Sequence, residues 1–184
     1  MKKETLKILI KEVIEEANGV SYDNGSTQFQ ADKKLAEDVI KLGKSIPDEL
    51  IYGWGDYGRE TDIHCTVLYG LVSDDTEELR GIIEAFPKFS VTIRDITYFE
   101  QDDHDVMKID VDGEELHRLH HLIDDNIENV NSYPKYQPHI TVAYVEKDLN
   151  RDALDHTMFN GDTIDVTEIV VSKKDGTKEV IKLK

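Results

Sequence analysis

Apolar and polar positions change period many times along this chain. Over residues 4–17, Leu6, Leu9, Ile10, Val13, Ile14 and Ala17 recur at helical spacing among Lys and Glu, which predicts an amphipathic helix. Asn18-Gly19 ends it, and the turn-rich run Tyr22-Asp23-Asn24-Gly25-Ser26 follows. Residues 1–25 therefore read as a helix with its tether, either appended to the body of the protein or packed on it, and residues 26–184 as one domain. Within that domain the pattern predicts a strand at 26–30, a helix at 31–43 and a glycine- and aromatic-rich loop at 51–62. A strand at 63–69, a helix at 74–85, strands at 89–99 and 105–111, a helix at 114–128 and a strand at 139–145 come next. A hairpin of residues 163–172 and 179–183 about Asp175-Gly176 closes the chain. Short strands and helices alternating in this way predict an α+β fold with mostly antiparallel sheets.

Two of the strands are written almost alike. His64-Cys65-Thr66-Val67-Leu68-Tyr69 and His139-Ile140-Thr141-Val142-Ala143-Tyr144 both read His-x-Thr-Val-x-Tyr, 75 positions apart. A lone histidine in a strand is ordinarily a solvated side chain, but a duplicated pattern points to two related lobes. Strict alternation puts His64 with Thr66, and His139 with Thr141, on one face of each strand. It puts Cys65, Val67 and Tyr69, and Ile140, Val142 and Tyr144, on the other, packed face. If a twofold axis relates the lobes, two imidazoles and two hydroxyls line one cleft. One neutral imidazole then takes a proton from an attacking hydroxyl while a protonated one gives a proton to the leaving oxygen. The threonine hydroxyls donate to phosphoryl oxygens as charge builds on them. Such phosphodiester chemistry calls for no cofactor and no metal.

Composition narrows the partners. There are 22 Lys and Arg against 39 Asp and Glu, a formal net charge of −17 over 184 residues. A chain this acidic repels a long DNA or RNA polyanion, whereas a small anion can be held by a few donors in a cleft. Cys65 is the single cysteine, which leaves no internal disulfide and no thiolate-rich metal site. No apolar run reaches the roughly 18 residues needed to span a bilayer, and the charged start does not read as a secretory signal. A cytoplasmic protein is expected.

Paired His-x-Thr strands resemble the signature of the 2H phosphoesterases, which include LigT-like 2′-5′ RNA ligases and cyclic phosphodiesterases. Several stretches are also similar to a phage-associated branch, the anti-CBASS nucleases that degrade cyclic oligonucleotide messengers of antiphage defence. These are Ser-Thr-Gln-Phe-Gln at 26–30, Tyr57-Gly58-Arg59-Glu60, Val67 to Leu71, Asp105 to Val111, Tyr133-Pro134-x-Tyr136-x-Pro138-His139 and Ser172 to Gly176. The resemblance covers about residues 26–184. It implies a bilobal α+β fold with two antiparallel sheet-and-helix lobes about a central cleft, and His64 and His139 as general base and acid in unassigned order. It further implies Thr66 and Thr141 as phosphoryl-orienting groups, a small cyclic di- or trinucleotide substrate opened at a 3′-5′ bond, and, for a phage product, work in the host cytoplasm.

Three further residues are candidates for substrate contact. Glu168 sits on a row with Ile164, Val166 and Val170, where a carboxylate either reads a base edge or marks a sheet edge. Tyr98, at a strand end near Asp102-Asp103, either stacks a base or joins the core. Trp54 in the glycine-rich loop is either a stacking lid or an anchor for that loop. Glu114, His117 and His121 share helical spacing without forming a known metal motif, and Tyr69 and Tyr144 read as core.

Overall fold

The computed structural model describes residues 22–53, 57–131, 133 and 135–184. The helix expected at 4–17 and the candidate Trp54 lie outside them. Strands β1 (Gly25–Gln30), β2 (His64–Leu71), β3 (Phe89–Glu100), β4 (Asp105–Asp112), β5 (His139–Val145), β6 (Thr163–Val166), β7 (Glu168–Ser172) and β8 (Lys178–Lys182) form one sheet. Their order is β6-β3-β4-β5-β2-β1-β7-β8, and every pairing is antiparallel. The α+β class and the two-lobed arrangement follow: β2, β1, β7 and β8 make one lobe, β5, β4, β3 and β6 the other, and β2 meets β5 at the seam.

Helix α1 (Lys33–Ser45) begins where the Asp32 side chain accepts a hydrogen bond from the Leu35 N–H at 2.9 Å, and it buries Leu35, Val39 and Leu42 along one stripe. Helix α2 (Glu77–Ala85) packs against β8 and the third helix. That helix, α3 (Glu114–Asn126), buries Leu116, Leu119, His120 and Ile123 at i, i+3, i+4 and i+7. α1 joins β1 to β2 yet packs behind β5, and α3 joins β4 to β5 yet packs behind β2. Each lobe thus props up the motif strand of the other. Cys65, Met107, Ile109, Ile140 and Ile123 are fully buried between sheet and helices. Each such aliphatic side chain contributes about 1.5–3 kcal/mol relative to exposure.

The segment at 163–172 is not one strand. β6 pairs with β3 at one edge of the sheet, whereas β7 lies between β1 and β8 near the other, with Thr167 between them. The sheet curls until these distant strands meet at that residue. A continuous apolar pattern hid the crossing, because both pieces are buried strands and a single residue marks the break.

Candidate active site

The site is built on one cross-strand pair. Cys65 of β2 faces Ile140 of β5 in antiparallel register. That register sets His64 beside Thr141 and Thr66 beside His139, all four on the face opposite Cys65 and Ile140. Diagonal neighbours in such a pair stand about 7–8 Å apart, their Cβ atoms somewhat less, so the two imidazoles project side by side from one face.

The two rings are oriented by the same device. Nδ1 of His64 bonds the Asp62 carbonyl, and Nδ1 of His139 bonds the Gln137 carbonyl at 2.7 Å. A carbonyl only accepts, so Nδ1 carries the hydrogen in both rings and the neutral form presents a bare Nε2. Their surroundings then differ. Burial holds His139 below the ordinary imidazole range, and the Lys108 ammonium pushes the same way against the bond to Gln137 and the Asp110 carboxylate. Beside His64 stands Asp62, whose Oδ2 lies 3.8 Å from Nδ1. Burial alone would raise the Asp62 carboxyl, yet the Lys178 ammonium bonded to it at 2.6 Å outweighs that and holds it low.

The neighbouring strands supply polar groups that the sequence reading passed over. Gln30 pairs with His64 and Gln28 with Thr66 on one side; Lys108 pairs with Thr141 and Asp110 with His139 on the other. Buried Lys108 donates to Thr97 Oγ1 at 2.6 Å and to Asp110 Oδ1, Thr97 donates to Asp110 Oδ2 at 2.9 Å, and the ammonium lies 4.3 Å over the Phe99 ring. The available signal was the alternation itself. Gln28 and Gln30, and Lys108 and Asp110, are polar residues at period two inside otherwise apolar strands, the same pattern that marks His and Thr.

The tyrosines of the repeat are not core residues. In β2 the register steps from Gln28↔Thr66 to Thr27↔Leu68, leaving Val67 as an extra residue. In β5 it steps from Lys108↔Thr141 to Met107↔Ala143, leaving Val142 extra. These matched bulges advance the alternation by one position. Tyr69 therefore joins the cleft face through its partner Ser26 and is 48% exposed, and Tyr144 joins it through Val106. The freed backbone is satisfied from behind: His120 Nδ1 donates to the Val67 carbonyl at 2.7 Å, Tyr136 Oη to the Thr66 carbonyl at 2.8 Å, and the Glu60 N–H to the Val142 carbonyl at 3.0 Å.

The other candidates fall elsewhere. Tyr98 pairs with Met107, on the face opposite Thr97 and Phe99, where Arg151 lies 4.3 Å over its ring and His156 meets it edge-on. It is placed away from the cleft because it is one residue out of phase with Phe99. Glu168 opens β7 beside Lys182, exposed, on the cleft-side face with Val170 but apart from Ile164 and Val166. Burial pushes the Cys65 thiol up to about 12, which removes it as a nucleophile at neutral pH. Among the described residues, no three His, Cys, Asp or Glu side chains gather as a metal site, and His117 stands edge-on to Tyr136 instead. No helix among those residues is long and apolar enough to cross a membrane.

The same fold occurs in solved structures of low sequence identity. LigT of E. coli in complex with 3′-AMP is 18% identical, covering 88% of this chain and 95% of that one at a TM-score of 0.62. TT0787 of Thermus thermophilus is 15% identical over 86% and 95% of the two chains, with a TM-score of 0.59. Usb1 of Kluyveromyces marxianus is 13% identical over 88% and 98%, with a TM-score of 0.53. A search of curated proteins finds no match. The sequence profile of the 2′-5′ RNA ligase superfamily matches residues 52–177, which take in both His-x-Thr strands and more than half of the chain. With its duplicated motif set across the seam of a LigT-like sheet, the chain belongs to the 2′-5′ RNA ligase superfamily of phosphoesterases and RNA ligases.

Proposed function

We propose that the protein cleaves 3′-5′ phosphodiester bonds in cyclic di- or trinucleotides, with His139 as general base and His64 as general acid, and so counters CBASS antiphage defence. The observation that carries the chemistry is the pair of matched tautomers across the Cys65–Ile140 bridge. His139, held neutral by burial, takes the proton of an attacking hydroxyl on Nε2. In the ring-opening form that hydroxyl is the ribose 2′-OH. Its oxygen bonds phosphorus, the P–O5′ bond breaks, and the 5′ oxygen leaves with a proton from Nε2 of His64. Asp62 supplies a negative charge beside the donor ring. The linear product ends in a 2′,3′-cyclic phosphate and a 5′-hydroxyl. Thr66 and Thr141 donate to the non-bridging oxygens, with Lys108, ion-paired to Asp110, next to Thr141.

Several facts support this substrate class. The net charge of −17 disfavours a long polyanion and leaves a small anion admissible. The stretches quoted above resemble the phage-associated branch, and the similar E. coli LigT has been solved with phosphate, 3′-AMP and ATP. The test is a product panel. EDTA-treated protein is incubated with cyclic dinucleotides, cyclic trinucleotides and RNA bearing 2′,3′-cyclic phosphate ends. Ring opening of a cyclic oligonucleotide is expected; turnover of RNA ends alone would replace this reading with an RNA-end enzyme, and quantitative recovery of bound, uncut ligand would replace it with a sequestering protein.

A further inference from the structure

The matched bulges do more than shift a register. Along the cleft face, β2 presents His64, Thr66 and then Tyr69; β5, running the other way, presents His139, Thr141 and then Tyr144. The His/Thr quartet is therefore closed at one end by Tyr69 and at the other by Tyr144. Same-face residues of a strand are spaced by about 6.8 Å, so each tyrosine stands about 10 Å from the centre of the quartet, room for one ribose and a stacked base. Were Val67 and Val142 held in regular, unbulged strands, Tyr69 and Tyr144 would fall an odd number of positions from Thr66 and Thr141, and both rings would turn into the core. Tyr69 is 48% exposed, and Tyr144 is half-buried with its ring held by Tyr57 at 4.7 Å and His104 at 5.9 Å between centroids.

We propose that Tyr69 and Tyr144 are paired base platforms, one on each side of the scissile phosphate, so that the site selects a phosphodiester carrying a nucleoside on both oxygens. The inference rests on the proposed acid/base site and sharpens its substrate: an internal linkage fills both platforms, whereas a nucleoside 2′,3′-cyclic phosphate fills one. An aromatic face stacks any base, so the selection is for the number of bases and not their identity.

The test uses Tyr69→Ala, Tyr144→Ala and the two Tyr→Phe variants in the full-length protein. Dissociation constants for a non-cleavable phosphorothioate cyclic dinucleotide are measured by calorimetry, and kcat and KM for a cyclic dinucleotide and for a nucleoside 2′,3′-cyclic phosphate by product analysis. Each Ala variant is expected to weaken the dinucleotide by about tenfold or more, in Kd and KM, with the Phe variants within about twofold of wild type. For the one-base substrate, only one of the two Ala changes should raise KM. Dinucleotide binding unchanged by either Ala variant, or lost equally in the Phe variants, overturns the platforms. Because the Kd series needs no turnover, an inert wild-type protein would overturn the acid/base reading while still deciding this one.

Discussion

The Phe99 ring stands edge-on to the imidazole of His139, with centroids 4.9 Å apart and planes at 88°. An apolar ring at this distance adds to the burial that lowers the proton affinity of His139.

That contact predicts the pH profile. A base whose affinity for protons is lowered stays competent further into acid, so the acidic limb of kcat/KM should fall below the ordinary imidazole value of about 6.5. Phe99→Ala admits water and should move the limb to higher pH. A pH–rate series on both proteins reads the shift, and an unchanged limb would place the base elsewhere.

His64→Ala and His139→Ala should each reduce the cleavage rate by about 10²–10⁴-fold. In the proposed mechanism one ring works as acid in the step where the other works as base, so the double variant should be scarcely slower than either single one. Rate losses that multiply would show two independent contributions instead.

Asp105 is 1% exposed and bonded by Lys147 at 2.8 Å and by Arg151. Burial would raise its carboxyl, but the two cations outweigh that and hold it low. Asp105→Ala removes the buried carboxylate shared by exposed Lys147 and half-exposed Arg151 at the start of β4, and should destabilise the fold by about 1.5–3 kcal/mol in urea unfolding.

Burial also holds His120 below the usual range. Between its folded and unfolded values, the unfolded chain binds a proton that the folded one does not. Stability is therefore full above about pH 6.5 and declines as the pH falls through the imidazole range. His120→Gln retains a donor for the Val67 carbonyl and removes the titration. The Tm difference between pH 7.5 and 5.5 should shrink in that variant.

Cys65 is 0% exposed, with its thiol pushed up to about 12. Iodoacetamide at neutral pH should label it only after denaturation, and native protein should keep its activity through the treatment.

What could be read in advance had a local physical signature. His64, Thr66, His139 and Thr141 were legible because strand alternation holds from the first residue of each motif to the third. Tyr69 and Tyr144 were not, because an inserted bulge residue has no side-chain signature: Val67 and Val142 are apolar on either count. Lys108 and Asp110 carried their signal in the open, as polar residues in an apolar strand, but their meeting with His139 and Thr141 depends on which strands pair. Glu168 was drawn into the wrong row by a break one residue long.

Thr167, between two strands from different lobes, has a mechanical consequence. Its carbonyl accepts from the Leu183 N–H at 2.9 Å, and Lys184 exchanges backbone bonds with Phe86 and Lys88, so the chain end is stitched across the same junction. A mouth whose jaws are sewn together at the back has little freedom to gape.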